Sequence, residues 1–235
     1  MLGNTFVEFV GVPAGGKSTL ARRLQDRLSE QGVAFTAYAD TFHATGSGRR
    51  RRALMLLDSL AFLLARPSLA WILARLWFRG GENTQFPAEV RRRKLLKFVA
   101  LSAGVNRNLK TGTVILDQGP LQCLMSWIWA GGQLSDTELV QVAGTVFPPE
   151  MKAVFVHVDT HPDTAYHRAA GRETQSSALI RGRTADEAKE MFRHASATVR
   201  TTLRQLDQTL TIRVHDDAAP FRAFRELVCE SDAGV

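Results

Sequence analysis

The chain has 235 residues, 45% of them hydrophobic, and a formal charge of +7; that is enough to bury one sizeable core, so a single domain over 1–235 is expected. Two cysteines, Cys123 and Cys229, exclude a disulfide framework, and each sits in an apolar helical stretch where a buried thiol in a reducing compartment is the ordinary reading. The positive charge suits nucleic acid, an anionic membrane surface or a polyphosphate substrate, and does not by itself choose among them.

Thr5 to Val10 alternates β-branched and aromatic residues, ends at Gly11, and is followed by a helical pattern from Lys17 to Gln31, which predicts strand, tight loop, helix. The opening apolar run is short and lacks a cleavage-like site, so no secretory leader is expected and the cytosol is the expected compartment. Val33 to Ala39 predicts a second strand, and Asp40 then opens a loop with Gly46 and Gly48 that ends in the basic run Arg49 to Arg52.

From Ala53 to Lys110 the pattern is helical, broken at Arg66-Pro67 and at Gly80-Gly81. Asp58, Arg66, Pro67 and Arg75 interrupt its greasiest part, so it lacks the roughly 18 uncharged residues of a membrane span. Thr113 to Leu116 predicts a third strand ending at Asp117, followed by helices over Pro120 to Ala130 and Asp136 to Gly144. Ala153 to Val158 is a fourth strand, closed by Asp159, and Thr160 is the expected cap of the next helix, with Pro162 in its first turn. Thr184 and Glu187 form a capping-box signature for a long helix reaching about Leu210. Thr211 to Val214 and a closing helix from about Ala219 to Cys229 complete the pattern. Strands alternating with helices favour a parallel sheet covered on both faces, with ligands at the carboxyl edge.

Gly11-Val12-Pro13-Ala14-Gly15-Gly16-Lys17-Ser18 fits G-x-x-x-x-G-K-[ST] between a predicted strand and a predicted helix. Glycines at these positions let backbone N–H groups turn inward around phosphate oxygens, and the helix starting near Lys17 adds its positive dipole end. Lys17 is expected to reach the β and γ phosphates, and Ser18 to offer its hydroxyl to Mg²⁺. Asp117 is the carboxylate that closes an apolar strand before a glycine turn, which suits a magnesium partner as well as a helix-capping aspartate. No guanine-reading Asn-Lys-x-Asp segment is present, which leans toward ATP.

With these residues in hand, the chain resembles the thymidylate kinase-like branch of the nucleoside and nucleotide kinases. The likeness rests on Gly11 to Thr19, on Asp117-Gln118-Gly119, and on Val156-His157-Val158-Asp159 followed by Ala165 to Arg172. It implies a three-layer α/β P-loop kinase with a five-stranded parallel sheet in the order 2-3-1-4-5, an acceptor-side helical insertion at 49–110, and an arginine-rich lid at 168–184. The cradle Gly11, Pro13, Ala14, Gly15, Gly16, Lys17, Ser18 and Thr19 would hold ATP, and Ser18 with Asp117 the magnesium ion. Arg168, Arg172, Arg181 and Arg183 match the lid layout, Arg172 and Arg183 being the catalytic candidates, and a solvated surface loop is the competing reading. Arg168 resembles the arginine that packs on the adenine ring opposite the Asp216 to Pro220 loop.

Two departures lie on the acceptor side. Gln118 stands where thymidylate kinases carry arginine, and Tyr38-Ala39-Asp40-Thr41-Phe42-His43 lacks their arginine-proline-glycine segment, so thymidine monophosphate is not the expected acceptor. Asp40 sits where nucleoside kinases and antibiotic-phosphorylating relatives hold a carboxylate base, with a turn-forming aspartate as the equal alternative. The insertion, with Trp71, Trp77 and Phe78, suits a plain helical core, a bulky acceptor's pocket, or an anionic membrane surface. The basic runs Arg49 to Arg52 and Arg91 to Lys94 lack interleaved aromatics, which argues against nucleic acid. The expected function is Mg-ATP-dependent transfer of a phosphoryl group to a hydroxyl or phosphate acceptor; the alternative is a nucleotide-dependent switch or assembly module, with a homodimer left open.

Overall fold

The computed structural model describes residues 5–37, 48–79, 86–109, 112–147, 152–172, 179–180, 182–206 and 210–214, with backbone alone at 48–52 and 210–214. The expected loop with Asp40 and His43, the Gly80-Gly81 break, Arg181, the 216–220 loop and the closing helix with Cys229 lie outside these residues. The strands are β1 Thr5–Val10, β2 Phe35–Ala37, β3 Thr113–Leu116, β4 Lys152–Val158 and β5 Leu210–Val214. The helices are α1 Lys17–Glu30, α2 Gly48–Leu64, α3 Pro67–Phe78, α4 Ala88–Asn108, α5 Pro120–Trp129, α6 Asp136–Val146, α7 Pro162–Ala170 and α8 Ala185–Gln205.

The alternation in the sequence builds an α/β fold around one parallel sheet, whose strands lie in the order β2-β3-β1-β4-β5. Pairing of Glu8 with Leu116 and of Val10 with His157 sets the carboxyl ends of β3, β1 and β4 side by side. Gly11, Asp117 and Asp159 therefore emerge along one edge, at the point where the chain leaves β1 for opposite sides of the sheet.

Every residue of β1 is buried, as a central strand covered on both faces requires. Val7 and Phe9 pack with Leu20, Leu24 and Leu28 of α1 on one face. Phe6 and Val10 face the larger cluster that includes Phe98, Trp127 and Phe192. Phe6 stacks on Phe147 at 5.2 Å between ring centroids, and Phe155 meets Phe147 edge-on at 5.1 Å, an arrangement that aromatic quadrupoles favour.

Helix ends follow their sequence signals in part: α8 stops at Gln205 rather than near Leu210, which opens β5, and α2 already starts at Gly48, so Arg49 to Arg52 are helical rather than the end of a loop. Ser135 and Thr184 each close a capping box with Glu138 and Glu187. Thr160, expected to cap α7, does not: the cap is His161 without a side-chain hydrogen bond, and the Thr160 hydroxyl donates instead to the Gly15 carbonyl at 2.7 Å. Pro162 already supplies a helix start without a spare N–H in its first position, which frees Thr160 to tie β4 to the glycine turn.

The α2–α3 break falls at Arg66-Pro67 as the proline dictates. Arg66 anchors it, donating to Thr145 O at 3.3 Å and Asn106 Oδ1 at 2.9 Å while lying over the Phe62 ring. Glu138, with only 8% of its side chain exposed, receives Arg75 of α3 and Arg79, which caps that helix, at 3.1 and 3.0 Å. The apolar stretch from Ala53 therefore bends by 112° between the two helices, and among the described residues no single helix is long and apolar enough to cross a membrane.

Candidate functional site

The cradle begins where β1 must pass β4 at close range. A Cβ on Gly11 would lie 2.7 Å from the Val158 carbonyl oxygen, so glycine is required there for proximity. Gly16 occupies left-handed space at φ 96 and is the cap of α1, with no side chain over the first turn. Ala14 holds φ 58, the one positive-φ non-glycine residue among those described. Such strain, on the order of 1 kcal/mol, persists where surrounding structure enforces it, and here it shapes the turn into α1, which the Gly15 N–H closes on the Val12 carbonyl at 3.2 Å.

Lys17 is 7% exposed, and its ammonium folds back to donate to the Gly11 and Val12 carbonyls at 2.9 and 2.8 Å. Burial brings its pKa down to about 8, opposed by the attraction of Asp117 and reinforced by the charge of Arg172. Lys17 and Arg172 thus face one space and repel, a tension that an anion between them relieves. Ser18 donates its hydroxyl to Asp117 Oδ2 at 2.6 Å, so the expected pair is brought together.

These two hard oxygen donors are of the kind a magnesium ion takes, since it needs only one or two protein ligands. Among the described residues no cluster of three or more His, Cys, Asp or Glu side chains forms a dedicated metal cage.

Two cavities flank the cradle. The first, about 340 Å³, is lined by residues 13–19 together with Lys94 of α4, Gln118, Gln122, Ser126 and Trp129 on and before α5, and Arg172. The second, about 550 Å³, lies toward β4 and α7 and takes in Arg23, Asp159, Thr160, Thr164 and Arg168. Ala14, Gly15, Gly16, Thr19 and Arg172 border both, so the glycine turn forms the wall between them.

Of the candidate arginines, Arg168 and Arg172 therefore reach the cradle. Arg183 does not: its guanidinium lies over the Phe86 ring at 5.2 Å, and it lines neither cavity. An aromatic face takes a guanidinium planar side on, and this is the contact Arg183 makes with Phe86. Asp40 and Arg181, being outside the described residues, have no stated place.

Sequence reasoning missed a buried carboxylate beneath this edge. Glu8 is fully buried in β1 and accepts the backbone N–H groups of Leu121 and Gln122 at 3.1 and 2.7 Å, capping α5 from a neighbouring strand. Burial raises its pKa to about 8 against the lowering effect of those hydrogen bonds. A Cβ on Gly119 would come within 2.5 Å of its carboxyl carbon, which explains the glycine of Asp117-Gln118-Gly119. Gln122 then passes the connection on by accepting the Gly11 N–H at 3.0 Å. The signal in the sequence was a lone charge within an otherwise apolar strand, Phe6-Val7-Glu8-Phe9-Val10.

Trp71, Trp77 and Phe78 of the insertion line neither of the two cavities at the glycine turn. Trp71 and Phe78 are 67% and 79% exposed, Trp77 is covered by Arg92 at 5.4 Å, and the tryptophan that lines the first cavity is Trp129.

No protein-family model matches the sequence, and no curated protein matches it either. Among solved structures, deoxyadenosine kinase from M. mycoides with the products dCMP and a flexible dCDP bound covers 98% of this chain and 100% of its own, at 11% identity and a TM-score of 0.51. The chain has the fold of a P-loop nucleoside kinase. The same enzyme with bound dATP aligns over the same shares at 10% identity, with a TM-score of 0.47. In this fold the glycine turn, the Asp117 turn and the start of α5 stand together at the carboxyl edge of the sheet.

Proposed function

We propose that this protein is a Mg-ATP-dependent phosphotransferase that moves the γ-phosphoryl group of ATP to a small-molecule acceptor of the nucleoside or nucleotide type. The observation that carries the reading is the convergence of Lys17, Ser18 paired with Asp117, and Arg172 on one glycine turn opening into a cavity. A structural turn would need neither the lysine nor the serine–aspartate pair. The fold shared with a deoxyadenosine kinase carrying dCMP as product supports an acceptor of that size.

In this reading the nucleoside end of ATP takes the second cavity, near Arg168, and its phosphates follow the turn toward the first. Lys17 exchanges the Gly11 and Val12 carbonyls for phosphate oxygens, an exchange that returns full charge to an ammonium weakened by burial. Ser18 and Asp117 would hold a magnesium ion, which when bound would supply positive charge against the β and γ phosphates. Arg172 screens the group in transit, and Gln118 and the α5 start orient the acceptor. Asp40 keeps the role of base for a hydroxyl acceptor, and an acceptor phosphate oxygen would need none.

The test is calorimetric titration with Mg-ATP beside a radiolabelled transfer assay, on the parent chain and Lys17→Ala. Binding and transfer by the parent, both lost in the variant, are expected. Parent-like turnover by Lys17→Ala would remove the basis of the reading.

A further inference from the structure

The run Arg91-Arg92-Arg93-Lys94 looks uniform in the sequence, but a helix turns about 100° per residue and sends each member to different surroundings. Arg91 is buried and donates to the Phe86 carbonyl at 3.2 Å. Arg92 lies over Trp77, and Arg93 pairs with Glu89 on the exposed side. Lys94 alone of the four reaches the first cavity.

There it stands half-buried beside Cys123 and Lys97, and among the described residues neither a hydrogen bond nor an ion pair holds its ammonium. The cavity wall around it is rich in donors. Lys17, Lys94 and Arg172 line the cavity, and no carboxylate does so among the described residues. Gln122, itself buried, spends its carbonyl oxygen on Gly11 N–H, which leaves its amide NH₂ as a further donor. Ser126, one turn on along the same face of α5, gives its proton to the Gln122 carbonyl and offers lone pairs only.

Lys17 and Arg172 belong to the ATP phosphates in the reading above, on which this inference rests. That leaves a cation on the helical wall that no described residue neutralises. Taking an ammonium out of water without a counter-charge is unfavourable, and burial does depress its pKa. A ligand's anionic group would restore the charge balance.

We infer that Lys94, with the Gln122 amide, forms an anion subsite that receives a phosphate or carboxylate group carried by the acceptor. The acceptor is then an already charged metabolite, such as a nucleoside monophosphate or a sugar phosphate, rather than a neutral nucleoside or sugar. Lys94 touches the acceptor and fixes its position; the transfer itself proceeds at the γ-phosphate beside Lys17 and Arg172.

The experiment compares matched acceptors: each of the common deoxynucleosides with its 5′-monophosphate, and a hexose with its 6-phosphate and its uronic acid. Binding to the ADP-loaded protein is measured by calorimetry, and transfer with labelled ATP, for the parent, Lys94→Met and Lys94→Arg. The charged member of a pair is expected to bind and react in preference. Lys94→Met, close in shape, is expected to raise its Kd and KM about 10- to 100-fold with kcat changed far less, as loss of one charge-assisted contact requires, and Lys94→Arg to recover most of this. The sugar pair against the uronic acid separates phosphate from carboxylate.

Equal or better use of the neutral members, or an unchanged Kd and KM in Lys94→Met, would overturn the subsite. If Mg-ATP binds and no charged member does, the subsite is rejected while the nucleotide reading stands. If Mg-ATP itself fails to bind, the nucleotide reading falls and takes the subsite with it.

Discussion

The glycine turn and the helical stretch from α2 to α4 both carry dense functional-looking residues, but they are built on opposite principles. In the turn, backbone geometry does the selecting: Gly11, Gly16 and Ala14 each have a conformation or a contact that fixes the path of the next residues, and Lys17 and Ser18 are placed by local chain direction. In the helices, the backbone is the same at every residue, and a side chain's role depends on rotation and on neighbours far away in sequence. Arginines and aromatics there split between buried struts, ring contacts and open solvent. Local chemistry is therefore legible in a loop and ambiguous in a helix.

The largest effect that bears on this contrast is expected from Lys17→Ala, with transfer reduced by about 10³-fold or more, because a fixed charge at the transferring group is lost. A steady-state assay at saturating Mg-ATP checks it, and a loss below tenfold would place the turn on a par with the helices. Removing Gln122 as Gln122→Leu strips the acceptor from the buried Gly11 N–H. About 1–3 kcal/mol of stability should go with it, measured by urea unfolding.

Glu8 gives a pH signature. Its pKa lies near 8 in the folded chain and near 4.5 once exposed, so the folded state binds the proton more tightly than the unfolded one. The favourable contribution is complete below about 4.5 and is lost as pH rises to about 8, at a slope of up to about 1.4 kcal/mol per unit. Unfolding of the parent relative to Glu8→Gln should follow that fall and flatten above it; a difference constant from pH 5 to 8 would contradict a buried, proton-holding carboxylate.

Smaller effects belong to the helices. Glu138→Ala releases Arg75 and Arg79 and opens the Ser135 capping box, and about 1–2 kcal/mol is expected in thermal or urea unfolding. Arg93→Ala, losing an exposed pair with Glu89, should change stability by no more than about 0.5 kcal/mol. An Arg93→Ala effect on acceptor KM as large as that of Lys94→Met would show the run acting as one patch and erase the distinction drawn between its members.

The sequence by itself determined the alternating strands and helices, the glycine turn with Lys17 and Ser18, the Asp117 turn, the Arg66-Pro67 break and the Thr184–Glu187 capping box. Each is written in residues within a few positions of one another, where sterics and hydrogen bonding act locally. Only the tertiary structure decided that Thr160 ties down the cradle instead of capping α7, that Arg183 lies over the Phe86 ring, and that Trp129 rather than Trp71 or Phe78 borders the cavity. The same holds for Glu8, Gln122 and Lys94, whose roles join β1, α5 and α4 across more than a hundred residues of chain in the first two cases. Burial and facing are set by the packing of distant elements, and no spacing along the chain encodes them.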